Sequence, residues 1–344
     1  MTTSRTNRWG KRIAIAVGSL ALLVVIAGAS LEAVSRWRTA RRYPAPGRLV
    51  DIGGGRRLQL DCRGAGSPTV VLEAGLDYLG SLSWSAVHDS LARTTRVCAY
   101  SRAGMMWSDP APGAFDVDRN ARDLHAALTN AGERAPWVMV GHSMGGPYVL
   151  VFTKLYGPEV KGVVLVDASH PEQFARFEEA TGKTLHPTTG LLAVGSRLAW
   201  TGIAKLAPFG NAPASWPAVA VDVPRAYFSR SIAALLEETR AIDATLSAER
   251  GARQLDVRPL FVLTAGAEKG HEELAQMGIT AEQEARRRAA WQQLQDDEAT
   301  WSRWSRHETV SDASHYIQFD RPDVVIRVVR AVAARVRATD IQAR

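Results

Sequence analysis

Short apolar stretches alternate with helix-like stretches along most of this 344-residue chain. Strand-like length and pattern are found at residues 56–62, 69–75, 96–104, 137–140, 160–169, 258–266 and 306–314. Stretches typical of helices lie between most of them, and an amphipathic one, residues 322–338, follows the last. Strands that alternate with helices usually pair in parallel, and the helices cover both faces of the sheet. The pattern therefore predicts an α/β fold built on a mostly parallel sheet.

The alternation stops between residues 171 and 256. This stretch is helical in pattern, is interrupted by Gly and Pro, and contains no convincing strand. We interpret it as a helical cap on a core made of residues 48–170 and 257–340. Caps of this kind build the substrate pocket. This cap is rich in Leu, Ala, Phe and Trp, which favours an apolar substrate.

The N-terminal region contains an uncharged apolar run, residues 13–31, between a basic segment (1–12) and a linker (32–47). As a helix this run would be about 28 Å long, close to the thickness of the hydrocarbon core of a bilayer. We predict a single-pass membrane anchor. Small residues at 27–29 keep a cleaved signal peptide as an alternative. Basic residues on both sides specify the orientation only weakly, and we expect the catalytic domain outside the cytoplasm.

The net charge of +7 comes from the same N-terminal region. Residues 1–48 hold nine Lys or Arg and one acid, whereas the rest of the chain holds 33 basic and 34 acidic residues. A nucleic-acid-binding protein carries its basic residues as a patch on a folded surface. The distribution therefore argues against a nucleic-acid partner and agrees with a segment that flanks a membrane.

A serine between two glycines follows the strand-like stretch 137–140. The sequence Gly-His-Ser-Met-Gly, residues 141–145, matches Gly-x-Ser-x-Gly and leads into a helical stretch at 146–157. On such a strand-to-helix turn the serine is exposed above the sheet as a nucleophile elbow. Glycine is needed on both sides because side chains there would crowd the turn. We predict Ser143 as a nucleophile.

The chain resembles the α/β-hydrolase fold superfamily. The resemblance is carried by this elbow and by four further stretches, residues 70–76, 96–109, 162–172 and 314–325. The resemblance extends from about residue 47 to 337. It implies an eight-stranded, mostly parallel sheet, with the cap inserted after the sixth strand. One departure is Ser101, because such proteins usually carry Asp before the Arg-x-Gly sequence. Arg102 would then lack its customary partner.

The resemblance also implies the partners of Ser143. His315 lies where the superfamily carries its catalytic base, and the backbone amides of Leu76 and Met144 lie where it forms the oxyanion hole. The acid follows either the sixth or the seventh strand. We prefer Asp167, after the sixth, and Glu268, after the seventh, is the alternative. Such a triad requires no cofactor and no metal.

The expected activity is hydrolysis of a small-molecule carboxylic ester through an acyl-enzyme. Serine at the elbow argues against epoxide hydrolases and haloalkane dehalogenases, which resemble this fold but use aspartate there. Amidase or aminopeptidase, thioesterase and cofactor-free haloperoxidase activities stay open. A membrane-tethered binding protein without catalytic activity is the alternative from a different class. The sequence does not specify the oligomeric state.

The chain has two cysteines, Cys62 and Cys98, without the spacing of a metal site. In the strand order that the resemblance implies, they lie on neighbouring strands, so we expect them to be close in space. Adjacent strands meet the geometry of a disulfide only with strain. We therefore favour two unbonded cysteines over a disulfide.

Overall fold

A computed structural model of the protein describes residues 3–206 and 212–342. Its strands are β1 (Arg48–Asp51), β2 (Arg57–Arg63), β3 (Thr69–Glu73), β4 (Arg96–Ser101), β5 (Trp137–His142), β6 (Val160–Val166), β7 (Leu260–Ala265) and β8 (Ser305–Val310). Its α-helices are α1 (Thr3–Arg42), α2 (His88–Ala92), α3 (Val117–Asn130), α4 (Gly145–Leu155), α5 (Gln173–Thr181), α6 (Gly190–Leu198), α7 (Ala218–Arg240), α8 (Ile242–Arg250), α9 (His271–Met277), α10 (Ala281–Glu298), α11 (Ile317–Asp320) and α12 (Pro322–Gln342). Residues 1–2 of the basic segment and 207–211 of the expected cap lie outside the described residues.

The eight strands form one sheet in the order β1-β2-β4-β3-β5-β6-β7-β8. β2 is antiparallel to both of its neighbours, and every other pair is parallel. The predicted fold class, a mostly parallel sheet of eight strands, is confirmed. The strand pattern missed β1 because this strand has only four residues, of which one is buried.

Helices cover both faces of the sheet, as expected for parallel strands. Successive side chains of a strand point to opposite faces. In β5, Trp137 and Met139 pack in the core under α3 and α4, whereas Val138 and Val140 pack in the core under α2 and α12. This explains why the strands in the middle of the sheet are apolar throughout.

Two helical excursions leave the sheet at the carboxyl ends of its strands. Between β6 and β7 the chain forms α5 to α8, in the residues that the sequence assigned to the cap. Between β7 and β8 it forms α9 and α10, and α10 packs against α5. The carboxyl ends of parallel strands are where α/β folds form their sites. Both excursions are therefore placed to wall a site at this edge.

The N-terminal helix α1 is longer than the sequence suggested. Residues 32–42, expected as part of a linker, continue the helix as far as Arg42. Among the described residues, α1 is the one helix long and apolar enough to cross a membrane. Its C-terminal part contacts the rest of the protein, where the buried Glu32 accepts a hydrogen bond from Ser229 and pairs with Lys205.

The two cysteines are joined in a disulfide. Cys62 on β2 lies directly opposite Cys98 on the antiparallel strand β4, with 4.0 Å between the Cα atoms. The expected proximity is confirmed, and the preference for two unbonded cysteines is wrong. The adjacent antiparallel register brings the two side chains onto the same face of the sheet. With both sulfurs bonded, neither cysteine can serve as a metal ligand.

Candidate active site

Ser143 occupies a strained turn between β5 and α4. Its φ is +53°, a left-handed conformation. A non-glycine residue adopts it only when its surroundings hold it there, because the conformation costs about 1–3 kcal/mol. Three backbone hydrogen bonds do so: the Ser143 amide donates to Val166, and its carbonyl accepts from Gly146 and Ser169. The turn is thereby tied to the end of β6, where Asp167 follows.

The glycines around Ser143 are required by close backbone contacts. A Cβ atom at Gly141 would lie 2.3 Å from the carbonyl oxygen of Gly145, and one at Gly145 would lie 2.5 Å from the carbonyl oxygen of Glu73. At Gly75 a Cβ would lie 2.9 Å from the Cβ of Ser143. Real Cβ atoms do not approach other atoms so closely. The Gly-x-Ser-x-Gly pattern is therefore a steric condition for the turn.

Asp167 and His315 come together across 148 residues of sequence. Oδ2 of Asp167 lies 2.6 Å from Nδ1 of His315. Since a carboxylate only accepts, the imidazole carries its proton on Nδ1 in this pair, and Nε2 is left as a base. Like Ser143, Asp167 has a left-handed backbone, with φ +44°. Asp167, His315 and Ser143 line one cavity of about 570 Å³.

Three donors hold the carboxylate of Asp167. Besides His315, the amide of Ala265 and the indole Nε1 of Trp291 donate to Oδ1, at 2.9 and 2.8 Å. Burial raises the pKa of Asp167, but these hydrogen bonds outweigh burial and hold the pKa below its ordinary value. Asp167 is therefore a carboxylate at neutral pH. No local pattern in the sequence marks Trp291, whose helix α10 belongs to the second excursion.

Glu268, the alternative acid, lies at the rim of the same cavity but away from His315. Its side chain is 86% exposed and forms an ion pair with Arg288 at 3.3 Å. Within the described part of the chain, Asp167 is the carboxylate that contacts His315. The hydroxyl of Ser143 makes no hydrogen bond to any described residue, and such catalytic bonds often form only with substrate present.

His142 supports the backbone beside His315. Its Nε2 lies 2.8 Å from the carbonyl oxygen of His315, so Nε2 carries the proton and donates. Burial lowers the pKa of His142 to about 3, with a contribution from the nearby His315, so this imidazole is neutral. His170 is also buried, and it contacts Asp297 at 3.0 Å instead of lining the cavity. Neither histidine is placed as a base for Ser143.

The two amides expected to form an oxyanion hole flank Ser143. Met144 follows the nucleophile directly, and Leu76 follows the close contact at Gly75. Neither amide donates a hydrogen bond to a described residue. Their assignment to an oxyanion hole stays a prediction.

Arg102 fixes the loop that carries Leu76. Its guanidinium donates to the carbonyl oxygens of Ala74 and Gly75, at 2.7 and 2.6 Å. It is fully buried between two carboxylates, Glu73 and Glu238, each at 2.8 Å. Burial raises the pKa of Glu73 to about 7, even though Arg102 opposes this rise. Arg102 lacks the customary aspartate at position 101, as expected, and two carboxylates from other elements pair with it instead.

Ser101, which precedes Arg102, makes hydrogen bonds of its own to neighbouring elements. Its hydroxyl donates to the side chain of Gln59 at 2.8 Å and accepts from the amide of Ser81. A carboxylate at this buried position would accept from Ser81 but could not donate to Gln59. Serine therefore fits these neighbours better than the aspartate that the family pattern leads one to expect.

The cavity is more polar than the composition of the expected cap suggested. Its walls come from α5, from the loop after β7 and from α10. Phe177 and Trp291 are apolar walls, but Gln173, Gln292 and Arg287 also line it. The cavity is therefore walled by both excursions, and its lining combines aromatic and polar groups.

Comparison with known proteins agrees with this architecture. A family model described as alpha/beta hydrolase fold matches residues 68–193. The solved structure of the epoxide hydrolase CorEH is 17% identical, with a TM-score of 0.56, over 83% of this chain and 98% of that chain. An esterase from Thermogutta terrifontis is 18% identical, with a TM-score of 0.51, over 84% of this chain and 98% of that one. At these identities the likeness shows the fold.

Curated relatives are matched over shorter stretches. The uncharacterized protein YbdG of Bacillus subtilis (strain 168) is 22% identical over 172 residues, which are 49% of this chain and 53% of that protein. The chain spans between 17% and 53% of the length of the curated relatives that it matches. These matches therefore say little about the activity of this chain.

Proposed function

We propose that this chain, which has the α/β-hydrolase fold, is a serine hydrolase that cleaves carboxylic esters. The observation that carries the proposal is the hydrogen bond from His315 to the buried carboxylate of Asp167, in the cavity that also contains the strained Ser143. A nucleophile, a base and a group that orients the base are the elements of acyl transfer by serine.

In the proposed mechanism, the oxygen of Ser143 attacks the carbonyl carbon of the ester while Nε2 of His315 accepts the hydroxyl proton. Asp167 keeps the imidazole in the required tautomer and stabilises its charged form. The amides of Leu76 and Met144 receive the negative oxygen of the tetrahedral intermediate, each contributing about 3 kcal/mol. His315 then gives its proton to the leaving alcohol, and the acyl group stays on Ser143.

Water completes the reaction by the same route. His315 accepts a proton from the water molecule as this attacks the acyl-enzyme, and then returns the proton to the oxygen of Ser143. The acid is released and the free enzyme is restored. Each step uses side chains or backbone amides of this chain, so the proposed mechanism requires no cofactor or metal.

The choice of reaction follows from the nucleophile. A serine oxygen bonded to an acyl group forms an ester that activated water can hydrolyse, whereas attack on an epoxide or a carbon–halogen bond would leave an ether that water does not cleave. We therefore favour acyl transfer, although one of the similar structures is an epoxide hydrolase. Esters are favoured over amides because an alkoxide is a better leaving group than an amide anion.

A fluorophosphonate probe tests the proposal directly. We expect the full-length protein to be labelled at Ser143 and the Ser143→Ala variant not to react. Hydrolysis of p-nitrophenyl esters of increasing chain length, beside amide and thioester analogues, identifies the acyl class. An unlabelled but folded protein would favour the membrane-tethered binding protein. Labelling together with faster amide or thioester cleavage would keep the serine chemistry and change the substrate.

A matched pair of variants tests the acid. We expect Asp167→Asn to lower kcat by about 10³- to 10⁴-fold, because the imidazole would lose the group that fixes its tautomer. Glu268→Gln removes an exposed carboxylate from the same cavity and should leave kcat almost unchanged. The reverse ranking would assign the acid to Glu268.

We also propose that α1 anchors the protein in a membrane. The helix is continuous through residues 27–29, where a signal peptidase would have to cut, and its C-terminal part packs on the body of the protein. Both features support an anchor that stays attached. N-terminal sequencing of the membrane-bound and of the released protein distinguishes the two: a released chain that begins near Ser30 would be a processed one.

A further inference from the structure

Five of the ten exposed large apolar side chains that the described residues hold outside α1 lie on one short segment. Leu191, Val194 and Leu198 on α6, with Trp200 and Ile203 just after it, are between 39% and 89% exposed. We call these five side chains the outer face of α6. Soluble surfaces rarely expose such a cluster without a function.

The outer face lies beside the side of α6 that contacts the rest of the protein. Leu192, Gly195 and Ala199 form the inner side of α6, at helical spacing. A Cβ at Gly195 would lie 2.7 Å from Ile232 of α7, and Leu192 and Ala199 pack in the cluster that contains Leu76. Because α6 contacts α7 and the loop that carries Leu76 through its inner side, the exposed apolar side chains of the outer face do not serve the core.

The anchor helix α1 lies directly beside this segment. A Cβ at Gly28 would lie 3.3 Å from the carbonyl oxygen of Thr201, which follows Trp200. Gly28 belongs to the uncharged run 13–31 and lies about 4–5 Å before its end at 1.5 Å per residue. A residue packed on Gly28 lies at the same depth in the membrane as Gly28. If residues 13–31 fill the bilayer, Thr201 lies at the boundary of the hydrocarbon.

The polar contacts of α1 begin one turn later. Glu32 is 3% exposed and is held by Arg36 at 2.7 Å, by Lys205 at 3.0 Å and by Ser229 at 2.6 Å. Its charge is therefore neutralised within the protein. Further along, Trp37 is 55% exposed and its ring lies under the guanidinium of Arg41, as is typical of side chains at a membrane surface. This sequence of contacts marks the membrane boundary between Gly28 and Trp37.

We infer that the outer face of α6 lies in the boundary between headgroups and acyl chains of the membrane that α1 spans. The inference rests on the proposed membrane anchor. Its partner is a lipid surface, because Gly28 places Thr201, and Trp200 beside it, at that depth and the exposed side chains of the outer face are apolar. Short amphipathic segments bind membranes in this way.

Single cysteines in the full-length chain test the inference. The described residues contain no free cysteine, so Leu191→Cys offers one reactive thiol for an environment-sensitive fluorophore. Val257→Cys is the matched control: it is 60% exposed but precedes β7, at the opposite edge of the sheet. Leu22→Cys, in the middle of the apolar run, reports on the anchor itself. Each variant is reconstituted in phosphatidylcholine nanodiscs with and without lipids spin-labelled near the headgroup or deep in the acyl chain.

We expect the shallow spin label to reduce emission from position 191 by about twofold, as for a helix buried in the interface, and to leave position 257 unchanged. Position 22 should respond to the deep label. Quenching at 22 without quenching at 191 would overturn the inference and leave the anchor in place. Absence of quenching at 22 would refute the anchor and the inference together. A blue-shifted but unquenched fluorophore at 191 would mean that a second copy of the chain covers this face, and would also refute a lipid contact.

Discussion

Replacement of Trp291 by Phe isolates one of the three donors that hold the proposed catalytic carboxylate. The indole Nε1 donates to Oδ1 of Asp167 at 2.8 Å, and the ring packs 5.6 Å from that of Phe177. Phenylalanine keeps an aromatic ring at this place and removes the donor. The amide of Ala265 and the imidazole of His315 still donate to the carboxylate.

The expected magnitude follows from the strength of one hydrogen bond to a charged group, about 1.5–3 kcal/mol. Because two donors remain, we expect the lower end of this range, about 1.5 kcal/mol. This is a loss of folding stability. Since Asp167 stays charged through the reaction, kcat should fall by less than the tenfold that corresponds to about 1.4 kcal/mol. The change should be in kcat rather than KM, since a carboxylate held by two donors instead of three orients the imidazole of His315 less firmly.

The sign of the pH effect follows from the depressed pKa of Asp167. Loss of a donor makes the carboxylate more basic, so the Asp167–His315 pair should bind its proton more tightly. The acidic limb of kcat/KM against pH should therefore move to higher pH. A group with a depressed pKa stabilises the folded state above its unfolded pKa, and this stabilisation is lost as the pH falls through its folded pKa. The variant should accordingly lose stability at neutral pH and lose less at acidic pH.

Trp301→Phe provides the control. The Nε1 of Trp301 also donates to an aspartate, Asp297, at 3.0 Å, but Asp297 makes no contact with His315. This variant should lose stability to a similar extent while the acidic limb stays in place. The assay is the pH profile of ester hydrolysis for the wild type and both variants. An unchanged acidic limb in Trp291→Phe, or an equal shift in both variants, would refute the reasoning.

Three further outcomes are expected. Glu238→Gln should destabilise the protein by about 3 kcal/mol in a denaturant titration and lower kcat, because it removes a carboxylate from the buried Arg102. Glu237→Gln, on the exposed side of the same helix, is the control and should do neither. Replacement of Cys62 and Cys98 by serine should lower the unfolding free energy by about 4 kcal/mol, as expected for a loop closed across 36 residues, and thiol titration of the denatured, unreduced wild type should find no free thiol. The full-length protein should resist extraction from membranes by high salt and be released by detergent, since an apolar helix is not held by charge; release by salt alone would argue against α1 as an anchor.

The sequence predicts best those features that are determined by neighbouring residues. The strained turn at Ser143 requires glycine at 141 and 145 because backbone atoms approach within 2.3–2.5 Å of where a Cβ would lie. That requirement is visible as Gly-x-Ser-x-Gly. The apolar strands in the middle of the sheet are equally visible, since both of their faces are buried.

The sequence could not decide contacts between distant elements. Asp167 and Glu268 each follow a strand of the sheet, and only the backbone path after the strand directs one of them towards His315. Trp291 and Glu238 lie on excursion helices whose packing no local pattern specifies. The disulfide was missed for the same reason, since the sequence indicated neighbouring strands but not their register.

The helix α7 connects the proposed anchor to the loop that carries Leu76. Near its middle, Ser229 donates to Glu32 of α1 at 2.6 Å. Nine residues later, Glu238 holds Arg102, which in turn holds the carbonyl oxygen of Gly75 beside Leu76. Nine residues make two and a half turns and about 14 Å of helix, so the two contacts face opposite sides of α7. Because one continuous helix carries both contacts, α7 sets the distance between Glu32 of α1 and the Arg102 that holds the carbonyl oxygens of Ala74 and Gly75.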